Sequence, residues 1–269
     1  MLRRLLIHSS VSVAAVATLA TALTSATHAP AARAVAAPAR PLTIVLPPQA
    51  FSHLASATAP SSLRYALLPN GINGGITRWN PCTSIRWQIN LHNAPSGALK
   101  VAKQAIRRIS LASGLHFTYV GTTKVIPQNN FGGDGNGPGG WPPLTIAWAL
   151  PGTGAGHSDV LPGGQTVGMG GTISTATVDG TGWDVRIATA YVVLDAHASK
   201  YFPATFNAQP SLGALLMHEL GHAVGLGHAG DTHEIMYPSM QQGHPSTWGS
   251  GDKTALRLVG PAAGCIPTS

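Results

Sequence analysis

Residues 218–228 read HELGHAVGLGH, and no other stretch restricts the fold of this chain as tightly. Leu212, Leu215, Leu216, Leu220 and Val224 recur at helical spacing and predict a half-buried helix, with Ser211, after Pro210, as its natural N-cap. His218 and His222 are four residues apart, so a helix sets both imidazoles on one face, a turn apart. Two neutral imidazoles placed this way can grip one Zn2+ at about 2.0–2.1 Å each. Glu219, about a third of a turn away from His218, can reach a water at the metal without being a ligand. Gly225 stops the helix, because glycine readily takes the left-handed conformation at a helix end. The turned chain can then bring His228 back to the same ion. Three protein ligands leave a fourth position for water, the pattern of a catalytic rather than a structural zinc.

A bare HExxH also occurs on ordinary amphipathic helices whose histidines bind nothing. The correctly spaced Gly225 and His228 argue against that reading here. Followed by Ile235-Met236-Tyr237-Pro238, the motif resembles the metzincin metallopeptidases, most closely their matrixin-like branch. The resemblance implies that Met236, eight residues after His228, forms a methionine-containing turn beneath the metal. It implies a split domain with a twisted five-stranded sheet, an active-site helix flooring a cleft, and a closing C-terminal helix. It implies a zinc metalloendopeptidase that holds one catalytic Zn2+ and acts on protein or peptide substrates. Glu219 would accept the proton as water attacks a peptide carbonyl. The substrate would run extended beside an edge strand, taken as residues 168–175. At the level of motifs the likeness covers residues 211–260.

The chain also departs from that pattern. The N-terminal segment holds no matrixin-type inhibitory cysteine motif, and Pro238-Ser239-Met240 stands where matrixins often carry Pro-x-Tyr. Additional structural Zn2+ or Ca2+ sites of the animal matrixins are not recognisable. His157 with Asp159, and Asp134 with Asn136, read as ordinary loop residues. His233 and His244 read as surface imidazoles, and Asp252 as the N-cap of the closing helix. Two rival readings remain. A non-catalytic secreted module with a zinc would give Glu219 no purpose. A metallopeptidase with a glutamate as third ligand would have to use Glu234, the only glutamate besides Glu219, inside the turn that Met236 requires.

Upstream, residues 85–91 alternate as a strand, and residues 96–113 form an amphipathic helix that ends at Gly114. Leu99, Ala102, Ala105, Ile106 and Ile109 make its apolar stripe, while Lys100, Lys103, Gln104, Arg107 and Arg108 face water. Further strands are expected at 116–120, 144–150, 170–178 and 187–194. This order indicates an α+β (α/β-like) domain.

The remaining expectations concern export. Arg3 and Arg4 precede an apolar stretch at 11–23, with small-residue cleavage sites at Thr27-His28-Ala29 or Ala32-Arg33-Ala34. That stretch falls short of the ~20 residues a membrane span needs. Residues 1–34 are therefore read as a signal peptide, 35–75 as an Ala/Pro-rich linker or short pro-segment, and 76–269 as the catalytic domain. The formal charge of +7 falls to about +3 without Arg3, Arg4, Arg33 and Arg40, and no basic block of the kind nucleic acid selects is left. The expectation is a secreted monomer without nucleic-acid partner or membrane anchor. Cys82 and Cys265 bracket the domain, and in an exported chain the default for two cysteines is a disulfide. The alternative places Cys82 on the metal as an inhibitory thiolate.

Overall fold

The computed structural model describes residues 42–45, 49–52, 64–133, 135, 140–179, 182–207, 210–240 and 242–267. The expected signal peptide, Asp134 and Asn136 lie outside them. Among the described residues, ten strands and three α-helices follow one another as β1 (Leu42–Val45), β2 (Gln49–Ser52), β3 (Ala66–Leu67), β4 (Ile85–Ile89), α1 (Ala98–Ser113), β5 (Phe117–Thr122), β6 (Leu144–Pro151), β7 (His157–Ser158), β8 (Gly168–Asp179), β9 (Gly182–Asp195), α2 (Leu212–Ala223), β10 (Leu226–Gly227) and α3 (Ser250–Val259). The main sheet runs β1-β8-β9-β6-β4-β5, with β2 also on β8 and β7 on β6. Strands β4, β5, β6 and β9 are mutually parallel, whereas β8 pairs antiparallel with β9. The fold is α+β around a mixed sheet.

Helix α1 forms where the 3.6-residue period places it. Ala98, Val101, Ala102, Ala105, Ile106 and Ile109 are buried, Leu99 is half-buried, and Gly114 caps the C-terminus at φ 77°. This helix is the crossover between β4 and β5, the usual way to join parallel neighbours. Its stripe packs with α2, α3 and one face of the sheet into the larger core, which holds Trp87, Ile146, Trp148, Val192 and Leu194. The opposite face carries Met169, Ile173, Tyr191 and Val193. Loop residues Phe131, Val160 and Leu161 cover it in place of helices. Burying a large apolar side chain of this kind stabilises the fold by about 1.5–3 kcal/mol.

Cys82 and Cys265 are joined, with Cα atoms 5.5 Å apart across 183 residues of sequence. The bond ties the segment before β4 to the segment after α3. It also removes Cys82 from any role as a metal thiolate.

Residues 42–45 and 49–52, inside the stretch read as linker or pro-segment, add to the outer edge of β8. Leu42 to Val45 pair antiparallel with Val178 to Thr175, and Gln49 to Ser52 with Thr172 to Met169. A segment with too little apolar surface to fold alone can still borrow an existing sheet edge through backbone hydrogen bonds. Further along, Ala66–Leu67 pairs with β10, directly after the metal-site helix.

Candidate metal centre

Helix α2 starts at Ser211, whose hydroxyl accepts the Ala214 N–H at 3.1 Å. The sequence predicts a half-buried helix, but all twelve residues of α2 are buried. The difference arises from what surrounds it: α1 packs on one side, β8 and β9 on another. Small residues permit this enclosure. A Cβ on Gly213 would lie 2.5 Å from the Phe206 ring, and one on Gly221 would lie 2.3 Å from Met236 Sδ. Met236 is thus seated directly beneath the helix, between the positions of the first two histidines. The chain leaves α2 through Gly225 at φ 108°, where a Cβ would also strike the Thr77 carbonyl oxygen at 2.1 Å. No other residue meets both conditions.

The turn brings His228 back to His218 and His222, and one donor atom from each lies within 4.8 Å of the others. His218 Nε2 is 3.0 Å from His222 Nε2, which is 3.2 Å from His228 Nε2. Nitrogens bound tetrahedrally at 2.0–2.1 Å would be separated by about 3.3 Å. Backbone carbonyls fix the far side of two rings: Ile235 O lies 2.6 Å from His218 Nδ1, and Leu226 O lies 2.8 Å from His222 Nδ1. Carbonyl acceptors at Nδ1 hold the proton there and leave each Nε2 with a lone pair for a metal. Burial drives the pKa of His228 down to about 4, so this ring too is neutral at physiological pH. The donor set suits Zn2+.

Glu219 is fully buried beside the triad, and burial raises its carboxyl well above the ordinary carboxylate range, with the Gly170 backbone acting in the other direction. Strand β8 passes close over it. A Cβ on Gly168 would lie 2.6 Å from Glu219 Oε1, and one on Gly170 would lie 2.3 Å from the Glu219 carbonyl oxygen and 2.8 Å from His222 Cβ. These two glycines let β8 lie against Glu219 and His222, and residue-type reasoning missed them. Their signal was alternate glycines inside a strand, which mark close backbone approach.

The other residues singled out from sequence fall elsewhere. His157 Nδ1 is 2.9 Å from Ala155 O, and Asp159 Oδ1 accepts the Asn129 N–H at 2.7 Å. His233 is exposed and contacts Asp231 at 2.9 Å. His244, expected at the surface, is instead buried, with Nδ1 3.0 Å from Pro245 O. Asp252 is not the N-cap of α3 but its third residue, and its Oδ2 accepts the N–H of Gly249, the N-cap, at 3.0 Å. Glu234 stands away from the triad, its carboxylate on the amides of Gly251 and Asp252 at 2.8 Å each.

No curated protein matches the chain. The family model Matrixin matches residues 161–255, a stretch that contains β8, β9, α2, the three histidines, Met236 and the start of α3. With that match and the imidazole triad, the chain carries a zinc metallopeptidase domain of the matrixin-like metzincin type.

Proposed function

We propose that the protein is a secreted endopeptidase that holds one Zn2+ through His218, His222 and His228 and uses Glu219 as its general base. The observation that carries this reading is the convergence of three neutral imidazoles, 3.0 and 3.2 Å apart at Nε2, beside a buried carboxylate of raised pKa. When bound, Zn2+ supplies Lewis acidity, polarising a carbonyl and lowering the pKa of water. Glu219 accepts the proton from the attacking water and returns it to the departing amine. A single carboxylate placed beside the metal can serve as base and then as acid in that transfer. Met236 supports the floor of the site from below α2.

An extended peptide would lie along the outer edge of β8, paired through backbone hydrogen bonds near Gly168 to Thr175. Residues 42–45 and 49–52 pair with this same edge, so a substrate that binds there displaces them. Secretion is supported by the disulfide, which persists in oxidising compartments, and by the basic and apolar N-terminal sequence. Among the described residues no helix is long and apolar enough to cross a membrane.

The test is cleavage of a peptide library by the purified exported protein, with metal analysis. Endopeptidase cleavage that disappears on chelation and returns with zinc is expected, at about one zinc per chain. An active preparation without metal would reject the proposal.

A further inference from the structure

Two acids that the proposed reaction does not use lie buried between the turn under the metal centre and α3. Glu234 is 1% exposed and Asp252 0%. Buried carboxylates persist where hydrogen-bond donors surround them, and here each is held by amides of the other's segment. Glu234 Oε1 accepts the Gly251 N–H at 2.8 Å, and Oε2 accepts the Asp252 N–H at 2.8 Å. Both amides belong to the first turn of α3, where free N–H groups and the helix dipole favour a negative charge. Asp252 answers in the reverse direction. Its Oδ2 accepts the Ile235 N–H at 2.6 Å, and its Oδ1 accepts the Met236 N–H at 3.2 Å. The approach depends on Gly249, where a Cβ would lie 2.2 Å from Glu234 Oε2.

The clamp leads directly to the metal centre. Ile235, held by Asp252 at its N–H, presents its carbonyl to His218 Nδ1 at 2.6 Å. Met236, held by the same carboxylate, sets its sulfur against Gly221 of α2. A continuous series of hydrogen bonds thus runs from α3 through the turn to the His218 ring. Burial pushes the Asp252 carboxyl up to about 7, and the charge of Glu234 adds to this. The N–H groups of Gly249, Ile235 and Met236 pull the other way.

We propose that Glu234 and Asp252 are positioning residues for the metal, their reciprocal clamp holding the 234–236 turn so that Ile235 keeps the His218 imidazole aimed at the ion. The inference rests on the zinc metallopeptidase reading of the triad. Groups that orient a ligand from behind typically change metal affinity by roughly 10–100-fold when altered, whereas a helix pin changes stability alone.

The experiment measures zinc affinity of the exported protein by chelator competition and records the visible spectrum of its Co2+-substituted form. Glu234→Gln and Asp252→Asn should each weaken zinc binding by roughly 10–100-fold and alter the Co2+ bands. Asp231→Asn, at a half-buried acid of the same segment whose carboxylate meets His233 and not α3, should do neither. Unchanged affinity and spectrum, with only a lower melting temperature, would overturn the proposal. If the variants do not fold, the native protein decides through linkage, because zinc must stabilise the clamp as the clamp stabilises zinc. The amides of Ile235, Met236, Gly251 and Asp252 should then be slowed in hydrogen exchange by zinc more than those of α1. Equal slowing rejects the clamp alone, and a native protein that binds no zinc rejects both the clamp and the metallopeptidase reading.

Discussion

Gly170 lies against Glu219 so closely that a single added carbon has no room: its Cβ would stand 2.3 Å from the Glu219 carbonyl oxygen. Backbone cannot move aside as the end of a flexible side chain can. Gly170→Ala must therefore push β8 away from α2, at a cost of about 1–3 kcal/mol for an overpacked core. The expected result is a lower melting temperature together with reduced peptidase activity. Unaltered stability and turnover in this variant would show that the contact is slack.

Removing Glu219 and removing a histidine should have separable effects. Glu219→Ala should fold and retain zinc while turnover falls ~10²–10⁴-fold. His228→Ala should lose both zinc affinity and activity. Metal content measured beside kcat distinguishes the two, and a Glu219→Ala variant with near-normal activity would reject the general-base role.

Burial of Glu219 also predicts how the chelated protein responds to pH. A carboxyl whose pKa is raised in the folded state keeps its proton there longer than in the unfolded chain. Its favourable contribution is therefore complete below the unfolded value of about 4.3 and is lost as pH rises. Chelated Glu219→Gln should melt higher than chelated wild type at pH 7, and the difference should vanish near pH 4. A Gln variant no more stable than wild type at pH 7 would contradict the burial cost.

The Cys82–Cys265 bond should leave no titratable thiol in unfolded, unreduced protein. Closing a loop of 183 residues removes unfolded-chain entropy worth at most about 5 kcal/mol. Reduction should lower the unfolding midpoint measurably, and two free thiols in the exported protein would refute the bond.

Pairing on the outer edge of β8 gives a kinetic expectation. Replacing Ala50 and Phe51, opposite Gly171 and Gly170, with proline removes two amides from the strand that covers the edge. Peptide substrates should then show a lower KM with little change in kcat. An unchanged KM would mean that substrate does not use this edge.

Elements whose pattern is local were legible in the sequence. The stripe of α1, the Ser211 cap and the spacing from His218 to His228 depend on neighbours a few residues away, and each is observed. The sequence predicts β9 only from Ile187, because charged Asp184 and Arg186 interrupt the apolar pattern before it, whereas the strand begins at Gly182. The Glu234–Asp252 clamp was illegible for another reason: each carboxylate meets backbone amides, which carry no residue-type signal. Residues 42–45 and 49–52 were hidden likewise, since pairing on a sheet edge draws on main chain common to every sequence.

The covered edge of β8 also bears on how this protein behaves when concentrated. A long strand with an open row of amides and carbonyls is a template for other chains, and edges are normally blunted by charge, proline or a bulge. Strand β8 is twelve residues long, and its first charged residue is its last, Asp179. Its register does shift between Ile173 and Ser174, but Gly168 to Ile173 run without interruption. The cover supplied by residues 42–45 and 49–52 would therefore act as a colloidal shield, and any form trimmed of it would present a glycine-rich edge, uncharged up to Asp179, to its neighbours.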